Sequence, residues 1–331
     1  MQRFLKENPD GEKPQAARSV VVLYSVKQDK TADAIAAVQD YSRYQPQKPE
    51  DRYKMEFLIA DAFIRAKDYA QVANHAEQML AASQSFASTN KTEVGKRDDM
   101  LLKSVLVLSD AYEKTMRREQ AIKSLRDLRR TALTLPSGNL YKLATFRLAV
   151  LSPSLDLQKI SDEVAQSPVE ALPEIVATQW IDQEPVKLAN LRGQVVLLDF
   201  WPPWCRPCRF TFPKLTAWHD AYKDKGLVIL GVTKYFGHDN DRQLTPGEEL
   251  VYLREFKKKN RLPYGFAVAD SDSNSINYGA FSIPMSFLID RRGVLRFISI
   301  GASPDEITML GDMVKKLVDE PVESKAVSGN Q

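Results

Sequence analysis

The chain has 331 residues, 44% of them hydrophobic, with 46 basic against 43 acidic side chains and a formal charge of +3. That length and apolar content suffice for more than one buried core, which excludes a disordered chain and makes two domains the expectation. Charge of near balance, with no long block of one sign, excludes a nucleic-acid electrostatic footprint.

Met1 to Pro14 carries Glu7, Asp10 and Glu12 and has no apolar core, so it does not read as a secretory signal. From Arg18 to Leu151 the apolar residues recur at helical spacing: Tyr53, Phe57, Ala60, Ile64; Val72, Ala76, Met79; Leu101, Val105, Leu108, Tyr112; Ala121, Leu125, Leu128, Ala132. This half is expected to be all-helical. Val20–Leu23 and Leu101–Leu108, its most apolar stretches, fall short of the roughly 18 to 20 residues that cross a bilayer. Arg126-Asp127-Leu128-Arg129-Arg130 reads as a solvated helix face, as does Lys257-Lys258-Lys259 farther on. Ala62-Phe63 before Asp68-Tyr69-Ala70, and Ala111-Tyr112 before Glu119-Gln120-Ala121, look like two helix hairpins, with Tyr24 and Ala34 a candidate third. They resemble tetratricopeptide hairpins, but Ala70 to Ala121 spans 51 positions against a period of about 34, and a generic helical array fits as well.

Pro136-Ser137-Gly138-Asn139 marks a turn before a last helix around Tyr141–Val150. Between Ser152 and Pro173 prolines and serines interrupt the pattern, consistent with a connector holding one short helix, and the domain boundary is placed near residue 165. Strands then alternate with helices: Thr178–Ile181, Val195–Trp201, a helix after Cys205, Leu227–Val232, a helix over Glu248–Lys259, and Phe266–Val268. Met285–Ile289, the turn Asp290–Gly293, Val294–Ile300 and a closing helix over Pro304–Leu317 complete a mixed α/β sheet layered by helices. The expected domains are 1–165, helical, and 166–320, α/β, with a frayed tail over 321–331.

The two cysteines of the chain stand three apart in Trp204-Cys205-Arg206-Pro207-Cys208, directly after the apolar run Val195–Trp201. A strand that delivers a C-x-x-C pair onto a helix start is a setting for reversible dithiol chemistry. The attacking species is a thiolate, whereas an unperturbed thiol titrates near about 8.5. Three features lower that barrier: the helix N-terminus at Cys205, the cations Arg206 and Arg209, and Pro207, which suits a first helical turn and stiffens the loop. Cys205 is therefore the expected nucleophile and Cys208 the resolving thiol. Resolution requires Cys208 to lose a proton, and Asp199, six positions before Cys205 in an otherwise apolar strand, is the candidate base. The alternative is a strand-end acid that merely bonds backbone.

Ser282-Ile283-Pro284-Met285 opens a later strand. A cis Ile283–Pro284 bond beside the dithiol would present the backbone of Ile283 to an extended substrate segment by strand addition, although a proline there is also common at sheet edges. Trp204 and Pro203 add apolar contact around the sulfur, while Phe236 reads mainly as packing. Zinc would need further ligands, and His219, His75 and His238 are scattered; haem attachment would need a histidine where Arg209 stands. Neither a metal nor any other cofactor is called for.

Val195–Cys208, the flanking Leu188–Gly193, and Ile283-Pro284 with the terminal hairpin resemble the thioredoxin superfamily, specifically the TlpA/ResA-like thiol-disulfide oxidoreductases, over about Pro173–Val318. The resemblance implies a thioredoxin-like fold with an added strand-helix segment, a redox-active dithiol, and a reducing role outside the cytoplasm. It places Asp199 at the buried acid and Ile283 before the cis proline. Two departures are evident: Thr211 stands where many ResA-like members have a glutamate, which leaves proton transfer to Asp199, and Pro202-Pro203 replaces small residues. The reading is a monomeric or weakly associated protein disulfide reductase, served by an upstream thiol reductant, whose helical half positions a protein partner. The rivals are an interaction scaffold with a passive thioredoxin-like domain, and a disulfide donor or isomerase, since direction depends on a potential that the loop does not encode.

Overall fold

The computed structural model describes residues 2–90, 92–154, 171–239 and 241–321. The boundary expected near residue 165, most of the expected connector, and the tail beyond Pro321 lie outside these residues. The chain forms two compact units, residues 1–128 with 144–155, and residues 129–143 with 156–331.

The helices α1 (Gln2–Glu7), α2 (Glu12–Lys27), α3 (Thr31–Tyr41), α4 (Pro49–Ala66), α5 (Tyr69–Thr89), α6 (Val94–Lys114), α7 (Arg118–Thr134) and α8 (Gly138–Leu151) come first; from Arg18 on they follow the predicted periodicity, whereas α1 and the start of α2 precede it. The pairs α2/α3, α4/α5 and α6/α7 each turn through one left-handed residue: Asp29 (φ 54°), Lys67 (φ 59°) and Met116 (φ 61°). In each, the next N–H reaches back across the helix end, Lys30 to the Ser25 carbonyl (2.8 Å), Asp68 to Phe63 (3.0 Å) and Arg117 to Tyr112 (2.7 Å), satisfying carbonyls that the helix leaves open. These turns set Ala34, Val72 and Ala121 as equivalents, all buried, whereas the hairpin pattern in the sequence pairs the exposed Ala70 with Ala121. Apolar faces close over Val22, Val38, Tyr41, Met55 and Ile59, and over Tyr53, Met79, Phe86 and Met100.

In the second unit, β1 (Gln179–Ile181), β2 (Val195–Phe200), β3 (Leu227–Lys234), β4 (Gly265–Ala269), β5 (Met285–Ile289) and β6 (Leu295–Ile300) form one sheet of order β1-β4-β3-β2-β5-β6. The central β2, β3 and β4 are parallel, while β1, β5 and β6 pair antiparallel to their neighbours. Every residue of β2 is buried, as expected for a strand that is apolar except at Asp199 and has both sheet faces covered. Alternation puts Val195 and Leu197 on one face, in a core shared with α9 (Cys208–Tyr222), α10 (Pro246–Lys259) and α12 (Pro304–Asp319). A short helix α11 (Ser273–Asn277) and a 3-10 turn over Leu188–Leu191 went unpredicted, both too short to show a period. Arg129–Leu143 belongs to this unit through its turn, where the Gly138 N–H donates to the Tyr278 carbonyl at 2.9 Å.

Candidate active site

The C-terminal end of β2 feeds the loop Trp201–Pro207 and then α9, so the dithiol lies beyond the carboxyl ends of the parallel strands of the sheet, where open α/β sheets place their ligands. Cys205 and Cys208 are joined by a disulfide with Cα atoms 5.3 Å apart. The regular helix starts at Cys208, later than predicted, but Pro207 already has helical angles (φ −59°, ψ −35°). Cys205 therefore stands at the helix tip, two residues before Pro207. Its Sγ accepts a hydrogen bond from the Cys208 N–H at 3.1 Å, the relation a capping side chain has to the third residue of a helix. Negative charge developing on Cys205 meets that N–H and the positive end of the dipole. Cys205 keeps 6% of its surface exposed and Cys208 none.

The neighbouring cations divide differently. Arg206 is exposed and makes no hydrogen bond to either sulfur among the described residues. Arg209, expected beside the thiolate, instead donates to the Pro203 carbonyl (3.2 Å) and lies over the Phe256 ring, 5.5 Å from its centroid, so it braces the loop. Thr211 is buried and its hydroxyl donates to the Cys208 carbonyl at 2.7 Å, which leaves no acid at that position.

Asp199 is fully buried on the same sheet face as Leu197 and Trp201, the face that packs Cys208. Its Oδ1 accepts from the Ser286 hydroxyl at 2.8 Å, while Oδ2 has no hydrogen-bond partner among the described residues. Burial raises its carboxyl from 3.8 to about 6 despite the opposing bond from Ser286. Gly231 stands opposite Asp199 on β3, and a Cβ there would lie 2.8 Å from both Trp201 Nε1 and Phe266 Cδ1, so close packing requires the glycine. Trp201 is enclosed by Phe212, Phe256 and Phe266, with ring centroids 5.6, 5.2 and 4.9 Å away.

At the mouth, Trp204 is 45% exposed and meets the Phe236 ring edge-on at 5.6 Å. Phe236 is held in turn by a residue that the sequence did not single out: buried Glu249 accepts from the Phe236 N–H (2.8 Å) and the Gly237 N–H (2.8 Å). The Ile283–Pro284 peptide is cis. Pro284 is buried, its carbonyl accepting from the Gly301 N–H at 2.8 Å, while Ile283 is half-buried and packs on the core that contains both cysteines. Ser286 and Glu249 act through tertiary contacts, and no local sequence signal marks either one.

Residues 169–298 match the AhpC/TSA family. The thiol:disulfide interchange protein DsbE of Pseudomonas fluorescens biotype C is 33% identical over 136 residues, 40% of this chain and 67% of that protein. The thiol-disulfide oxidoreductase ResA of Bacillus thuringiensis subsp. konkukian is 28% identical over 121 residues, 37% of this chain and 62% of ResA. Protein DipZ of Mycobacterium bovis is 29% identical over 147 residues, 43% of this chain, and the chain spans 20% of DipZ. A dithiol at a helix tip beyond the parallel strands of a mixed sheet, set in residues that match this family and these relatives, identifies the chain as a member of the thioredoxin-like thiol-disulfide oxidoreductases.

Proposed function

We propose that the chain reduces protein disulfides through a mixed disulfide on Cys205. The observation that carries the mixed-disulfide step is the buried, half-partnered carboxyl of Asp199 on the face that packs Cys208. In the reduced protein the Cys205 thiolate attacks one sulfur of a substrate disulfide; a Cys205–substrate bond forms, the substrate S–S bond breaks, and its far sulfur leaves as a thiolate. Asp199 then accepts the Cys208 proton, directly or through water, and the Cys208 thiolate attacks Cys205 Sγ. The second substrate sulfur leaves, the Cys205–Cys208 bond forms, and two electrons have passed to the substrate, whose thiolates take protons from solvent. An upstream thiol reductant returns two electrons to the pair.

Trp204, Ile283 and Pro284 receive the substrate, with Ile283 pairing backbone to an extended segment, and Arg206 and Pro207 support the Cys205 thiolate. The helical half, 1–165, positions a protein partner; a cleft of about 680 Å³ lined by Ile64, Tyr69, Val72, Ala111, Lys114 and Arg147 supports this assignment. Residues 166–320, packed in one compact unit with Arg129–Leu143, form the catalytic domain, and the family resemblance favours a working place outside the cytoplasm. Among the described residues no helix is long and apolar enough to cross a membrane. The test is Cys208→Ser with insulin as the disulfide probe: an insulin adduct on Cys205 is expected, and an empty trap under turnover refutes the reading.

A further inference from the structure

The turn between α7 and α8 is seated against the loop that opens β5. Gly138 N–H donates to the Tyr278 carbonyl at 2.9 Å, and a Cβ on Gly138 would stand 2.0 Å from Met285 Sδ and 2.9 Å from the Gly279 carbonyl oxygen. Met285 directly follows Pro284, and Gly279 precedes the loop. On the far side of the same loop segment, Lys142 Nζ donates to Ser282 Oγ at 2.8 Å. The turn is itself stiff. Ser137 Oγ accepts from the Leu140 N–H at 3.2 Å, Tyr141 meets Phe297 edge-on at 6.2 Å, and the buried Arg129 guanidinium lies 4.3 Å above the Tyr141 ring.

These contacts grip both ends of Ser282–Met285, the segment whose Ile283 packs on the core that contains both cysteines. We infer that Ser137–Lys142 is a positioning clamp for this loop, fixing Ile283 for the backbone of an extended protein substrate. The inference rests on the reading of Ile283 as a substrate contact. A substrate that docks by strand addition needs the loop backbone fixed in advance, because ordering it on binding lowers affinity. A small disulfide that reaches Cys205 without pairing to Ile283 does not.

The two substrate classes separate the clamp from general damage. In Gly138→Ala the new methyl must displace Met285 or the Gly279 backbone, and Lys142→Ala removes the bond to Ser282. With insulin as the protein probe, both variants are expected to raise KM by about threefold or more with kcat little changed. The reaction of the reduced variants with 5,5′-dithiobis(2-nitrobenzoate) is expected to stay within about twofold of the parent. Lys142→Arg, which keeps a donor, restores the KM for insulin and guards against a Gly138→Ala chain that fails to fold. Equal losses with both probes, or unchanged KM for insulin in Lys142→Ala, overturn the clamp. A parent protein inert to both probes refutes the dithiol reading itself, and the clamp with it.

Discussion

Replacing Asp199 with Asn removes a carboxyl that burial raises from 3.8 to about 6. A folded-state value above the unfolded one means that the folded protein holds this proton more tightly. The associated stability is complete below pH 3.8 and is lost as pH rises through about 6. A displacement of about two units corresponds to roughly 3 kcal/mol, since each unit is worth about 1.4 kcal/mol. Part of this is already gone at pH 4, so between pH 4 and pH 8 the parent should lose roughly 2 kcal/mol that the variant does not lose. Asn keeps an acceptor for Ser286 but brings an amide into a buried site, so the absolute stabilities shift for other reasons. The difference in pH slope isolates the carboxyl. Urea unfolding of the full oxidised chains at several pH values gives that slope, and single-turnover resolution of a Cys205 mixed disulfide gives the kinetic counterpart, expected to slow by about 10²-fold at pH 7. Parallel stability curves with equal resolution rates would refute the placing of Asp199 as a buried base.

Ser286→Ala removes the hydrogen bond that holds the Asp199 carboxyl down, so the carboxyl stretch in infrared difference spectra should titrate at higher pH than in the parent; an unmoved midpoint contradicts the pairing. Glu249→Ala leaves the Phe236 and Gly237 N–H groups without their carboxylate, which should cost about 2 to 4 kcal/mol in urea unfolding and release the Phe236 support under Trp204. A loss below about 0.5 kcal/mol would show those donors satisfied elsewhere.

Much of this was legible from local pattern. The helical period marked α4 to α7, the apolar run marked β2, and Met285–Ile289 was placed to the residue. Short elements were not legible: the five residues of α11 carry no apolar repeat, and the strand at Leu227 runs on to Lys234 because pairing with β4 continues past the last apolar residue. Cys205, Cys208 and Asp199 stood out because two thiols at a fixed spacing and an acid in an apolar strand are locally unusual. Arg209 read as a neighbour of the thiolate, yet the guanidinium finds a carbonyl and an aromatic face first. Ser286, Glu249 and Gly138 take their importance from partners far along the chain, such as the Asp199–Ser286 pair across β2 and β5, and nothing in their local sequence distinguishes them from ordinary strand, helix and turn residues.

The central claim, that Cys205 and Cys208 exchange a disulfide for two thiols reversibly, is tested most directly by equilibrating the full chain in glutathione buffers of graded ratio, quenching with acid, and alkylating for mass analysis. The account predicts a single two-electron transition between the doubly alkylated and the unmodified chain, with one alkylated peptide spanning both cysteines. A pair that stays in one state across the whole range, or that ends as separate glutathione adducts on the two sulfurs, would contradict it.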